Sequence, residues 1–319
     1  VAKFERARDP DSGHTNSAYY QVIDAIRSDP DANEVTFELS RASRSFLYDL
    51  ARPDSIVYPA GSADRQRRAP IGTGPFRFAS YREGSEVRLE RFEAYYLPGV
   101  PYLDAVTFRI LGDPNTRFAA LLAGDVDLIG TSLTPEQYLQ LRDRPGFVAT
   151  EGTATTEITL GMNHERAPFD DVRVRRAVQH AIDKRAIVDG AMFGLGTVIG
   201  THMSPSESYY LDLTELYPHD PDRARALLRE AGYGERGPRV LFELPAPYAI
   251  ERRAGQVVAQ QLEAVGFEVE LQVVEWATWL RRIFRDGDYQ LTIIGHSEPR
   301  DIAIYGESDY YFEIGRAHV

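Results

Sequence analysis

The sequence predicts an α/β fold with a parallel sheet in the second half of the chain. Three observations carry this. Residues 239–295 alternate strand-like and helix-like stretches, the pattern that builds a parallel sheet with right-handed crossovers. Upstream lie amphipathic stretches that open on aspartate, the side chain suited to capping a helix N-terminus. The 319 residues are 43% hydrophobic and 26% charged, enough for a real core and for two domains.

Taken in chain order, "EVTFELS" (34–40) and "VRLERF" (87–92) alternate as strands. "PNTRFAALLAGDVDLIG" (114–130) reads as a short helix feeding a strand. "FDDVRVRRAVQHAIDKRAIVDG" (169–190) is expected to be one amphipathic helix. Val174, Ala177, Val178, Ala181 and Ile182 form its apolar stripe, Asp170 or Asp171 its N-cap, and Arg173, Arg175 and Arg176 its solvated face. "YPHDPDRARALLREAGYG" (217–234) repeats the logic, with Asp220 as cap, Pro221 at the first helical position, Leu227 and Leu228 inward and Gly232 as the stop.

"RVLFELPAP" (239–247) then reads as a buried strand. "ERRAGQVVAQQLEAVG" (251–266) reads as a helix, with Ala254, Val257, Val258 and Leu262 on one face and Gly266 as its stop. "FEVELQVV" (267–274) alternates Phe267, Val269, Leu271 and Val273 as a strand. A helix follows in which Trp276, Leu280, Ile283 and Phe284 recur at helical spacing, with Leu280 and Phe284 expected in the core. "DGD" (286–288) makes a turn and "YQLTIIG" (289–295) a third strand.

In an open α/β sheet, ligands bind beyond the carboxyl ends of the strands. "GHSEPRD" (295–301) occupies that position, and the loops after the other two strands bring Tyr248, Glu275 and Trp276 to the same rim. His296 can donate to a carboxylate or phosphate. Glu298 or Asp301 can bind an ammonium group.

A net charge of −12 and a pI near 5.1 argue against a nucleic-acid partner. With no cysteine, disulfides, thiolate metal sites and thiol nucleophiles are excluded. No apolar run approaches the length of a membrane span.

Four stretches, in order, resemble the family 5 extracellular solute-binding proteins, receptors that deliver oligopeptides, dipeptides, nickel complexes and similar solutes to ABC importers. "PIGTGPFRF" (70–78) is similar to the family's G-T-G-P segment, here a turn rather than a phosphate loop, and "LLAGDVDLI" (121–129) to its turn before a strand. "MNHERAPFDDVRVRRAVQHAIDK" (162–184) is similar to its most characteristic motif. "YPHDPDRARALLREAGY" (217–233) is similar to the Tyr-x-x-Asp-Pro helix that follows.

The resemblance implies a two-lobed periplasmic-binding-protein-like fold (type II), incomplete here, whose lobes close on solute. Residues 1–68 would be the remainder of an inserted subdomain of lobe I, 69–155 a lobe I segment and 156–312 part of lobe II. "EIGRAHV" (313–319) matches a translated sequencing adapter. The chain lacks an initial methionine and an export signal, and is expected to be a fragment truncated at both ends.

The resemblance also implies a periplasmic monomer that binds a small peptide or peptide-like solute, partners the permease subunits of an ABC importer, and needs neither cofactor nor catalytic residue. In peptide-binding members an aspartate a few residues before a proline pairs with the solute's amino terminus. Here Gly295 stands four residues before Pro299, which departs from that pattern. "GTHMSPSESYY" (200–210) is similar to the segment crossing the cleft and adds His202 and Met203 to His296, Glu298, Asp301, Trp276 and Tyr248 as candidate contacts. Thr155 and Glu157 fall near the expected hinge. Two further readings stay open: a receptor for a metal chelate or haem on the same fold, and a metal-dependent hydrolase using His202, His296, Glu298 and Asp301. No H-E-x-x-H or G-x-S-x-G supports the hydrolase.

Overall fold

A computed structural model describes residues 1–14, 17–130, 133–207, 210–234 and 236–297. The chain divides into two compact units, Val1–Thr134 and Pro135–Val319.

In the first unit, helix α1 (Ala2–Arg8) and the antiparallel hairpin of β1 (Ile23–Asp29) and β2 (Glu34–Leu39) precede α2 (Phe46–Leu50). The hairpin turns because the Asp29 carboxylate accepts from the amides of Asp31 and Ala32 and Asn33 adopts a left-handed φ of 56°. Phe4, Ala7, Tyr20, Ile23 and Phe46 form the core of this part. Strands β3 (Phe76–Arg82), β4 (Glu86–Arg91) and β5 (Ala105–Arg109) make a separate antiparallel sheet in the order β3-β4-β5. Helix α3 (Pro114–Ala123) begins where the Asp113 carboxylate accepts from the Thr116 amide, and ends at left-handed Gly124. The strand expected after it does not form: residues 125–130 pair with no strand among the described residues, and Leu128 is 79% exposed.

The second unit begins with α4 (Pro135–Arg142) and is built on one sheet of β6 (Glu157–Met162), β7 (Arg239–Pro245), β8 (Glu268–Val274) and β9 (Leu291–His296), ordered β6-β9-β7-β8. As the alternation predicts, β7 runs parallel to both β8 and β9. Strand β6 is antiparallel to β9. The expected helix over 169–190 is two helices, α5 (Val172–Ala181) and α6 (Lys184–Met192). Ile182 takes an extended conformation, and the Asp183 carboxylate then recaps the chain by accepting from the Ala186 amide. Asp171 caps α5, and Arg173 grips that carboxylate and the Glu230 carbonyl. Helix α7 (Pro221–Glu230) carries the Asp220 cap and Pro221 start as expected.

Helix α8 (Ala249–Ala264) crosses between β7 and β8. The core joins Val174, Ala177, Val178 and Ala181 of α5 with Leu227 and Leu228 of α7, Phe242 and Leu244 of β7, Val258 and Leu262 of α8, and Leu291 and Ile293 of β9. Each such large side chain contributes about 1.5–3 kcal/mol by leaving water. Gly255 is needed for the approach of α8 to β7, since a Cβ there would lie 2.4 Å from Leu244 Cδ2.

Strand β8 forms as expected and lies at the edge of the sheet beside β7, with Leu271 and Val273 42% and 58% exposed. One expectation about burial fails. Leu280 is 37% exposed. The chain there changes from the short α9 (Trp276–Trp279) to a π-helical turn over Leu280–Arg285. The wider turn rotates the apolar register, so that Trp279 and Ile283 fill the second core, with Phe284 packed beside them.

Candidate functional site

The sheet places the site. Strands β7, β8 and β9 end together, and β6, running the other way, begins at that same end. Glu157, the first residue of β6, therefore pairs across the ladder with His296, the last of β9. Directly opposed residues of an antiparallel pair share a face. Both are buried, at 8% and 3% exposure.

The loop after α6 brings His202 to this pair, its Nδ1 lying 3.9 Å from Glu157 Oε2. That loop is held closely, because a Cβ at Gly200 would lie 2.3 Å from the Leu213 carbonyl carbon and Thr201 Oγ1 donates to the Leu211 carbonyl. Thr156 and Ser297 share a 2.5 Å hydroxyl contact beside the cluster, and Ser204 donates to the Ala154 carbonyl. Lys184, at the start of α6, donates to the Ile199 carbonyl.

Burial, with a smaller contribution from the His202 charge, pushes the His296 imidazole down to about 3. Burial first and the Lys184 charge second also lower His202. Both rings are therefore neutral at neutral pH, each offering one acceptor nitrogen. Burial lowers the Lys184 ammonium as well. On the opposite face, where Gly295 points, Glu251 packs so closely that a Cβ at Gly295 would lie 3.2 Å from its Oε1. Burial raises that carboxyl.

A second, aromatic group occupies loops at the same end. Trp276 stacks on Trp279 at 5.1 Å and 13° between planes, and Tyr248 meets Trp276 edge-on at 5.1 Å. Trp279 is fixed because its indole N–H donates to Thr292 Oγ1, which donates to the Glu243 carbonyl. Glu243, almost fully buried, is paired with Arg282 of the π-helical turn. Trp276 is part-buried and Tyr248 is 37% exposed, so the free side of this stack reaches solvent.

Of the expected contacts, the structure thus gathers His202 with His296 and Tyr248 with Trp276. Met203 is buried beside His202. Glu298 and Asp301 lie outside the described residues. Glu157, expected near the hinge and not as a site residue, joins the histidines. Its signal is present in "EITLGM", where Ile158, Leu160 and Met162 alternate with the face that carries Glu157. Among the described residues no three His, Cys, Asp or Glu side chains are grouped to hold a metal ion. No described helix is long and apolar enough to cross a membrane.

The fold is similar to that of periplasmic binding proteins. Residues 1–305 match the family model for bacterial extracellular solute-binding proteins, family 5 middle, and the chain belongs to that family. It is 28% identical to heme-binding protein A of Haemophilus influenzae, over 93% of this chain and 58% of that one. It is 30% identical to the dipeptide-binding protein of Escherichia coli, over 88% of this chain and 54% of that one. The crystal structure of a dipeptide-binding protein from Pseudoalteromonas in complex with Met-Leu superimposes with a TM-score of 0.77 at 25% identity, covering 98% of this chain and 64% of the other. The chain spans little more than half the length of these curated relatives.

Proposed function

We propose that this chain is part of the substrate-binding receptor of an ABC importer. It takes up a peptide or peptide-like solute in the periplasm, acts as a monomer, and hands the solute to permease subunits in the membrane. The role is binding, without catalysis. Family membership supports the importer role, and the dipeptide-binding relatives support the solute class.

The observation that carries the peptide reading is the contrast at the crevice end of the sheet. An apolar layer terminates in Glu157, His202 and His296 beside hydroxyls, with an aromatic stack on neighbouring loops. A peptide needs both kinds of surface: hydrogen-bonding groups for its ends and amides, and apolar walls for its side chains. In this reading Trp276 and Tyr248 receive a side chain. His202, Met203 and His296 line the polar part, and Glu298 and Asp301 are further contacts to the solute. Affinity comes from desolvating the solute as the receptor closes on it.

The test is calorimetry on the full-length receptor with Met-Leu. Replacing Glu298 and Asp301 together by alanine is expected to weaken binding by about 1–3 kcal/mol for each buried hydrogen bond to the solute that the change removes. Unchanged affinity would remove both residues from the site. A second reading, a receptor for haem or a metal chelate, is favoured by the adjacency of His202 and His296 and by the heme-binding relative. The same titration with haemin decides between the two readings by which compound binds.

A further inference from the structure

Glu243 is a carboxylate in the middle of an apolar layer. It is 1% exposed in β7, with Gln272 of β8 and Thr292 of β9 as its ladder neighbours. Side chains alternate along a strand, so Glu243 leaves the sheet on the face opposite Phe242 and Leu244, where Val274, Trp279, Ile283, Tyr289 and Ile294 form the second core. Arg282 of the π-helical turn reaches it there as an ion pair. The Glu243 carbonyl accepts from Thr292 Oγ1, which accepts in turn from the Trp279 indole N–H. One residue of the central sheet thus holds both the turn and the tryptophan before it. Trp276 stacks on that tryptophan with 13° between the ring planes and takes its orientation from it.

A buried ion pair is a weak source of stability, because apolar side chains of similar volume in its place often fold as well. What the pair does fix is geometry, since the planar guanidinium meets a carboxylate in few arrangements. The turn that it fixes is also unusual. Its backbone closes over five residues, from the Asp286 amide to the Arg281 carbonyl, a form found often at functional sites.

We infer that Glu243 and Arg282 are positioning residues for the solute site: their pairing pins the π-helical turn so that Trp276 presents its free face to a solute side chain. This rests on the peptide-receptor reading above. Without the pair the second core can still fill, but the turn is free to shift against β7, and the stack shifts with it.

The experiment replaces both partners in the full-length receptor, Glu243→Met with Arg282→Met, which leaves no lone charge buried. Acrylamide quenching, compared in each protein with its Trp276→Phe derivative, reports the exposure of Trp276 without any solute. Calorimetry then measures affinity for Met-Leu and for Ala-Ala, whose methyl groups bring little surface to the stack. The double variant is expected to quench more readily at Trp276. It should bind Met-Leu up to about tenfold more weakly, the worth of a good sulfur–aromatic contact, with Ala-Ala little changed. Unchanged quenching overturns the inference. So does an unchanged preference between the two dipeptides, whether both affinities fall, as for a merely structural pair, or neither does. If the double variant does not fold, Arg282→Lys decides. It keeps the charge without the planar fork, and the same two changes are expected; wild-type quenching or an unchanged preference overturns the inference. Wild type that binds neither dipeptide overturns the peptide reading, and quenching alone then decides whether the pair positions Trp276.

Discussion

His296 links the site to the stability of the unit that carries it. Its imidazole stays neutral because burial makes the charged form costly, which holds its folded value at about 3, below the ordinary 6.5. The unfolded chain therefore takes up a proton that the folded chain refuses. The resulting stability is fully present above pH 6.5 and is lost as pH falls from there toward 3. His202, lowered for the same reason, adds in the same direction. Between pH 6 and pH 4 His296 should cost up to about 1.4 kcal/mol per pH unit. Urea unfolding of wild type and His296→Gln across that range measures it. The variant should show the shallower pH dependence, and parallel curves would mean that the imidazole carries a proton when folded.

At the scale of elements, the contact of α8 with β7 leaves no space for a methyl group. Gly255→Ala would put its Cβ 2.4 Å from Leu244 Cδ2, and Leu244 is itself 2% exposed. The better helix propensity of alanine, about 1 kcal/mol, works against the overpacking cost of about 1–3 kcal/mol. Net destabilisation is expected, visible as a lower denaturant midpoint at constant slope; a stabilised variant would show that Leu244 can turn aside. The elements themselves are largely legible in the sequence. Asp113, Asp171 and Asp220 announce helix starts through local hydrogen bonds, and local chemistry is what a sequence displays. The parallel order of β7, β8 and β9 follows from their helical connections. The break at Ile182 is harder to see, although Asp183 is a cap as good as Asp171, because the apolar stripe runs across it. The π-helical turn, the exposure of Leu271 and the pairing of Glu157 with His296 depend on neighbours distant in sequence. His296 is legible because it ends a strand. For Glu157 the alternation of "EITLGM" marks its face but not its partner, because β6 joins the sheet antiparallel from about 130 residues upstream of β9.

At the scale of the whole molecule, the two units differ in how much apolar surface they bury. In the first, the sheet of β3, β4 and β5 contributes no buried hydrophobic residue, and Tyr81, Phe92, Phe108 and Ile110 along it are between 40% and 58% exposed. In the second, Phe242, Leu244, Leu291 and Ile293 lie in the central strands beneath α5 and α8, at 4% exposure or less. Backbone hydrogen bonds open locally where opening exposes little apolar area, and only with global unfolding where it exposes much. Amide exchange of this chain near neutral pH should therefore be slowest in β7 and β9. It should be at least about tenfold faster in β3–β5, since each 1.4 kcal/mol of opening free energy is a factor of ten. Equal protection of the two sheets would mean that the first is held by contacts other than apolar burial, and that its ladder hydrogen bonds suffice alone. The expected contrast would instead mark the second unit, which carries the candidate site, as the more stable scaffold: a rigid sheet end on which Glu157, His202 and His296 keep fixed positions whether or not a solute is bound.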